Sequence, residues 1–172
     1  MRESLVEASI RAAIDQKNAR LTQAIRANGW MIQYVGGEGC DRTGCDCATS
    51  DEPPFAYTVG LFGMGHPELL IFGVSIDDAM SILSELCDRI RGGDQLVPNV
   101  PIRFGHHQLI PEEVPNPGDI VFIANDFYQR PAEVSVSVLQ LTYDDERGRF
   151  PWDDGCTVAH LQPRPGTFDA RT

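Results

Sequence analysis

The feature that most constrains this chain is a pair of almost unbroken apolar runs, Ala56 to Phe62 and Glu68 to Val74, joined by Gly63-Met64-Gly65-His66-Pro67. A strand with one wet face alternates apolar and polar residues. Runs that are apolar at nearly every position need cover on both faces. The short Gly- and Pro-bearing link makes the two runs a hairpin. The pattern then becomes helical from Ile76 to about Arg91, with Ile76, Met80, Leu83, Cys87 and Ile90 forming one apolar stripe. Ser75 is placed to cap this helix, Asp77 and Asp78 suit its positive end, and Arg89 and Arg91 suit the other. Gly92-Gly93 stops it.

Residues 3 to 28 predict an N-terminal helix with Leu5, Val6, Ile10, Ile14, Leu21 and Ile25 at helical spacing, ended by Asn28-Gly29. A short strand follows over Trp30 to Val35. Residues 36 to 54 form a Gly-, Asp- and Cys-rich loop without periodicity. Ile102 to Ile110, Ile120 to Ala124 and Val134 to Tyr143 are further strand candidates, separated by proline-containing loops. Residues 164 to 172 predict a flexible tail. At 172 residues and 42% hydrophobic composition, the chain suits one domain over 29–163 behind the N-terminal helix. The expected class is α+β, with a mostly antiparallel or split-barrel-like sheet.

Charge and motifs exclude several functions. The formal net charge of −11 offers no basic face for duplex nucleic acid. No apolar run approaches a membrane span and no signal-peptide core opens the chain, so a soluble cytoplasmic protein is expected. Lys17 is the only lysine, which argues against pyridoxal phosphate. The chain has no G-x-S-x-G elbow, no phosphate-binding P-loop and no G-x-G-x-x-G fingerprint.

Chemistry-bearing residues gather in three places. Cys40, Cys45 and Cys47 fall within eight residues of one loop. Their thiolates could hold Zn²⁺ with Cys156 or a histidine as fourth ligand, although C-x₄-C-x-C is not a familiar zinc spacing. Incidental loop thiols are the plainer reading. Among the histidines, His66 precedes Pro67-Glu68 at a strand start, where its side chain could face a cavity mouth. His106 and His107 would point to opposite faces of a strand. Either could join His66 and Glu68 in acid–base or metal chemistry; a hydrogen-bonded structural imidazole is the alternative at each. Finally, Asp144 to Arg149 reads as a solvated hairpin tip. The large Phe150 and Trp152 fold back on the sheet, where a ligand could stack on Trp152 beside Arg149.

The block Pro54-Phe55-Ala56-Tyr57-Thr58-Val59-Gly60-Leu61, then His66-Pro67-Glu68-Leu69 and Gly73, resembles the bacterial domain-of-unknown-function family DUF4262. Gln140-Leu141, Gly148-Arg149-Phe150-Pro151-Trp152 and Gln162-Pro163 resemble its closing pattern. The likeness spans about residues 28 to 163 and implies no particular activity. The Cys-rich loop departs from the common pattern. The strand, tight H-P-E connection, second strand and helix are also similar to the flavin-reductase-like split barrel. That likeness would make Tyr57, Thr58, Ser75 and Arg103 contacts for a flavin.

Three functions follow as expectations: a small-molecule or cofactor-binding domain, with flavin-linked oxidoreduction as one form; a metal-dependent enzyme using His66, Glu68 and His106 or His107; or an acidic interaction domain. A homodimer is also expected, by analogy with small barrels.

Overall fold

The computed structural model describes residues 2–36 and 52–171, with side chains from Leu5 onward. The Cys40, Cys45 and Cys47 cluster therefore lies outside the described residues. The chain opens with helix α1 (Arg2–Asn28) and strand β1 (Met31–Val35), and then forms β2 (Phe55–Val59) and β3 (Glu68–Phe72). Helix α2 (Ile76–Arg91) precedes β4 (Ile102–Phe104), β5 (His107–Glu113), the short α3 (Phe122–Phe127) and β6 (Val138–Tyr143).

The strands make one six-stranded sheet in the order β1-β2-β3-β6-β5-β4. All neighbours are antiparallel except β3 and β6, which run parallel with Glu68 opposite Val138. The class is α+β, as expected. The split-barrel expectation is corrected, because the sheet is open and ends in two edges, β1 and β4.

Both apolar runs are buried along their whole strands. Alternate residues feed two cores. Ala56, Leu69, Ile71, Leu109, Leu139 and Leu141 pack under α2 on one face, while Tyr57, Val59, Leu70, Phe72 and Val138 pack under α3 on the other. This is why neither run alternates in sequence: each side chain, up or down, meets apolar cover.

Helix α2 follows its sequence signals closely. The Ser75 hydroxyl accepts the Asp78 amide at 3.1 Å and caps the first turn. Its buried face is Ala79, Leu83, Leu86, Cys87 and Ile90. Ile76 and Met80, expected in that stripe, are about half exposed because the first turn stands above the sheet. Leu83 is fully buried. Leu83→Ala is expected to cost about 2–5 kcal/mol in urea unfolding, and a loss under about 0.5 kcal/mol would place Leu83 at the surface.

Four further expectations need correction. The strand expected over Ile102–Ile110 is a hairpin, because Gly105-His106 forms a turn and Phe104 pairs with His107. His106 therefore sits in that turn rather than on a strand face. Ile120–Ala124 is not a strand but leads into α3; a short apolar run looks alike in a strand and in a buried helix. In the segment before β6, Asn125 Oδ1 takes the Val136 amide at 3.0 Å and the Ser135 hydroxyl at 3.1 Å, so the strand starts only at Val138. The closing segment is not a free tail up to Arg171, because Phe168 is buried with its ring against Phe55 and Phe72.

Helix α1 forms where expected, but most of its apolar stripe finds no cover. Leu21 is buried against the sheet, whereas Val6, Ile10 and Ile14 are exposed by 58%, 55% and 52%.

Candidate functional site

The H-P-E corner is built inward, as a structural clasp. Glu68 is fully buried at the start of β3. Its carboxylate accepts the Thr58 hydroxyl at 2.5 Å, the Gly60 amide at 2.8 Å, the Phe62 amide at 3.1 Å and the Leu61 amide at 3.3 Å. Burial pushes this carboxyl up from its ordinary value, and the Thr58 hydroxyl and the three amides pull against it. The Thr58 hydroxyl also accepts the Leu69 amide at 2.9 Å, and the residue is fully buried, so it is not presented to a ligand.

His66 is equally occupied. Its Nε2 accepts the Leu96 amide at 3.1 Å, which places the proton on Nδ1, 2.7 Å from the Pro67 carbonyl that accepts it. Neither His66 nor Glu68 lines either of the two cavities described below.

The flavin contacts expected from the barrel likeness are dispersed. Tyr57 points into the α3-side core, where its hydroxyl oxygen accepts the Ile123 amide at 3.2 Å. Burial raises its pKa to about 12. Arg103 is exposed on edge strand β4, four strand positions from β2 and so roughly 19 Å away.

A different set of residues does converge. A cavity of about 450 Å³ opens between the first half of α2 and the ends of β5 and β6, closed below by residues 157–161. Its walls include Val74, Ile82, Phe104, Leu109, Val158 and Leu161, and four carboxylates line it: Asp78, Asp144, Asp145 and Glu146. Among the described residues, no lysine or arginine is in the lining.

His107 contributes the one imidazole. It begins β5, half exposed, with Nδ1 2.9 Å from Asp144 Oδ1. Against a carboxylate oxygen Nδ1 must donate, so in the neutral ring Nε2 is the acceptor. Asp144 is fixed in turn: the same oxygen accepts the Gln108 amide at 3.1 Å, and the Asp144 amide donates to the Gln108 carbonyl at 3.3 Å. The result is a buried carboxylate that orients a half-exposed imidazole, an arrangement suited to accepting a proton or a ligand hydrogen bond.

Tyr143 closes the floor. Its hydroxyl is buried and has no hydrogen-bond partner among the described residues. Burial raises its pKa, with the neighbouring Cys156 thiol and Asp78 carboxylate adding to the effect. Gln162 holds the Tyr143 backbone from both sides, accepting its amide at 2.9 Å and donating to its carbonyl at 3.0 Å. Gly73 makes the close approach possible, since a Cβ there would stand 2.5 Å from Leu161 Cβ and 3.0 Å from the Tyr143 hydroxyl.

The segment expected as a solvated hairpin tip is an exposed turn over Glu146, Arg147 and Gly148, but Asp144 and Asp145 at its start are buried and anchor it. Asp145 collects the amides of Arg147, Arg149 and Thr157 at 2.9–3.1 Å and pairs with the Arg149 guanidinium at 2.9 Å. Burial alone would raise the Asp145 carboxyl, but these donors outweigh it and hold it well below the usual carboxylate range. Arg149 is thereby committed to Asp145. Trp152 stacks on Phe150 at 5.0 Å, and Arg164 lies over its ring at 4.9 Å. Half of Trp152 is exposed, outside the cavity.

A larger concavity, about 1010 Å³, is an open groove rich in proline: Pro67, Pro98, Pro115 and Pro117 line it with Glu113 and Asp119. Asn116 Oδ1 in that groove is a second buried atom without a partner among the described residues. The smaller cavity is the stronger candidate because it lies between packed layers and joins an oriented imidazole to a partnerless hydroxyl. Among the described residues, no group of three or more His, Cys, Asp or Glu side chains could hold a metal ion.

The family model for the domain of unknown function DUF4262 matches residues 24–157. The chain belongs to the DUF4262 family. No curated protein and no solved structure matches it. Within this DUF4262 domain, the H-P-E motif builds the loop after β2, and the Gly148-Arg149 motif builds the wall behind Asp145. The cavity draws on residues that motif reading does not connect. His107 is visible as a histidine, but Asp144, Asp78 and Tyr143 are separated from it in sequence by 29 residues or more, and only the β5–β6 pairing brings Asp144 beside it.

Proposed function

We propose that this DUF4262 domain binds a small amphipathic molecule carrying a positive charge, in the cavity between α2 and the β5–β6 edge. The observation that carries the reading is the lining as the described residues form it: apolar walls, four carboxylates, no lysine or arginine, and a buried Tyr143 hydroxyl without a partner among those residues. An organic cation would place its apolar body against Ile82, Phe104 and Leu161 and its charge toward Asp78 and Glu146. Tyr143 O–H and His107 Nε2 supply one donor and one acceptor for orientation.

The same lining argues against a flavin nucleotide here. A helix N-terminus is a ready phosphate site, but at α2 the Ser75 hydroxyl and the Asp78 carboxylate already occupy it. Asp78 and Glu146, the lining carboxylates not held by Arg149 or His107, would repel a phosphate. Cys87 and Cys156 are free thiols, which supports placing the domain in the reducing cytoplasm.

Thermal unfolding with phenethylamine, phenylpropionate and FMN tests the proposal. Phenethylamine at ten times its Kd is expected to raise Tm by about 3–6 °C, with little effect from the other two. Asp78→Asn should weaken the amine about tenfold. Equal stabilisation by phenylpropionate or FMN, or none by amines, would overturn the reading.

The His107–Asp144 pair supports a second reading, in which the bound molecule is also a substrate and His107 its general base. His107→Gln would then abolish turnover of that molecule while leaving its binding within a few-fold.

A further inference from the structure

The exposed stripe of α1 is a separate feature, and most of it precedes the family match, which begins at residue 24. Val6, Ile10 and Ile14 lie one turn apart on one face, and the stripe continues into Leu21, which is buried in the sheet core. The same helical face is thus covered at one end by its own domain and uncovered over the preceding turns. Isolated apolar residues at a surface need no explanation, but a row of three β-branched residues at i, i+4, i+8 on a helix is a packing surface.

We propose that this face is covered by a second copy of the chain, with the two α1 helices packed antiparallel about Ile10. In an antiparallel pair centred there, residue i faces residue 20 − i. Ile10 then meets Ile10, Val6 meets Ile14, and position 3, a glutamate, stands opposite position 17, a lysine. The register is self-complementary in both apolar and charged positions, as a two-fold interface requires. Only one lysine exists in the chain, and this register uses it. The geometry also fits the rest of the fold. Pairing consumes positions 2 to 18, about 26 Å of helix, and stops before Leu21, where each helix joins its own domain. An interface of this length is modest, so the dimer is concentration-dependent. The inference is independent of the ligand cavity.

Light scattering of the full chain across a concentration series tests it. The expected mass rises from 19.0 kDa to twice that value. Ile10→Asp, which sets two carboxylates face to face on the two-fold axis, should hold the chain at single mass with its thermal unfolding unchanged, because residue 10 lies outside the sheet cores. Lys17→Glu should weaken the dimer at least tenfold, and adding Glu3→Lys should restore it. A wild-type chain of single mass at every concentration would overturn the proposal. So would an Ile10→Asp dimer, or a double charge swap that fails to restore pairing. Single mass with sedimentation on phosphatidylcholine–phosphatidylglycerol vesicles would assign the stripe to a lipid surface and would equally overturn it.

Discussion

Glu68→Gln is expected to destabilise the domain by about 3–5 kcal/mol, measured by urea unfolding. The carboxylate accepts four donors, the Thr58 hydroxyl and the amides of Gly60, Leu61 and Phe62, in a fully buried site. A glutamine keeps one acceptor oxygen and turns an NH₂ group toward donors, so buried amides lose their partner whichever way the side chain is flipped. The phenethylamine affinity of the folded fraction should remain within a few-fold, since Glu68 does not line the cavity. A catalytic Glu68 would behave in the opposite way, with stability kept and activity lost. Wild-type stability in the variant would show that the carboxylate does not hold the loop.

Gly60→Ala is expected to cost a similar amount, about 3–5 kcal/mol by the same assay. Gly60 ends β2 with φ of +134°, and a Cβ there would collide with the Gly29 carbonyl oxygen and stand 2.8 Å from Trp30 Cα. Both are backbone atoms of the chain entering β1, so no side chain can rotate away to relieve the contact. The same turn of backbone aims the Gly60 amide at Glu68, which couples the two predictions. Gly65 provides the control. Its φ is +80°, and a methyl group added there would meet nothing within 4 Å, so Gly65→Ala should cost only about 1–2 kcal/mol. Equal losses at the two positions would mean that backbone conformation, and not the crossing with Gly29, sets the cost.

Much of the fold is legible in the sequence because the relevant signals are local. The cap at Ser75, the stop after Arg91 and the hairpin runs around Gly63 to Pro67 are each read within a few residues, and β2, β3 and α2 form where those signals lie. Expectation and structure part where local signals are degenerate. Val121 to Ala124 suits a buried strand or a buried helix turn, and the choice falls to α3 because Asn125 then satisfies the Val136 amide. Asp144 and Asp145 read as solvated from charge alone, yet burial is tolerated once the Gln108 amide, the Arg149 guanidinium and three further amides face them.

The candidate site is less legible than the fold. His66 and Glu68 stand out because polar residues beside apolar runs draw attention, but their hydrogen bonds are all spent within the protein. Residues with capacity left over, the Tyr143 hydroxyl and His107 Nε2, sit in segments that sequence marks only as strand.

By itself the sequence determined where β2, β3 and α2 form and in what order, the acidic net charge, and membership of a family whose motifs span the sheet. These depend on composition and on contacts a few residues apart. Tertiary structure alone decided which polar groups are satisfied and which remain available. That depends on strand register: the β5–β6 pairing sets Leu109 opposite Tyr143 and carries His107 to Asp144, and no spacing along the chain encodes it.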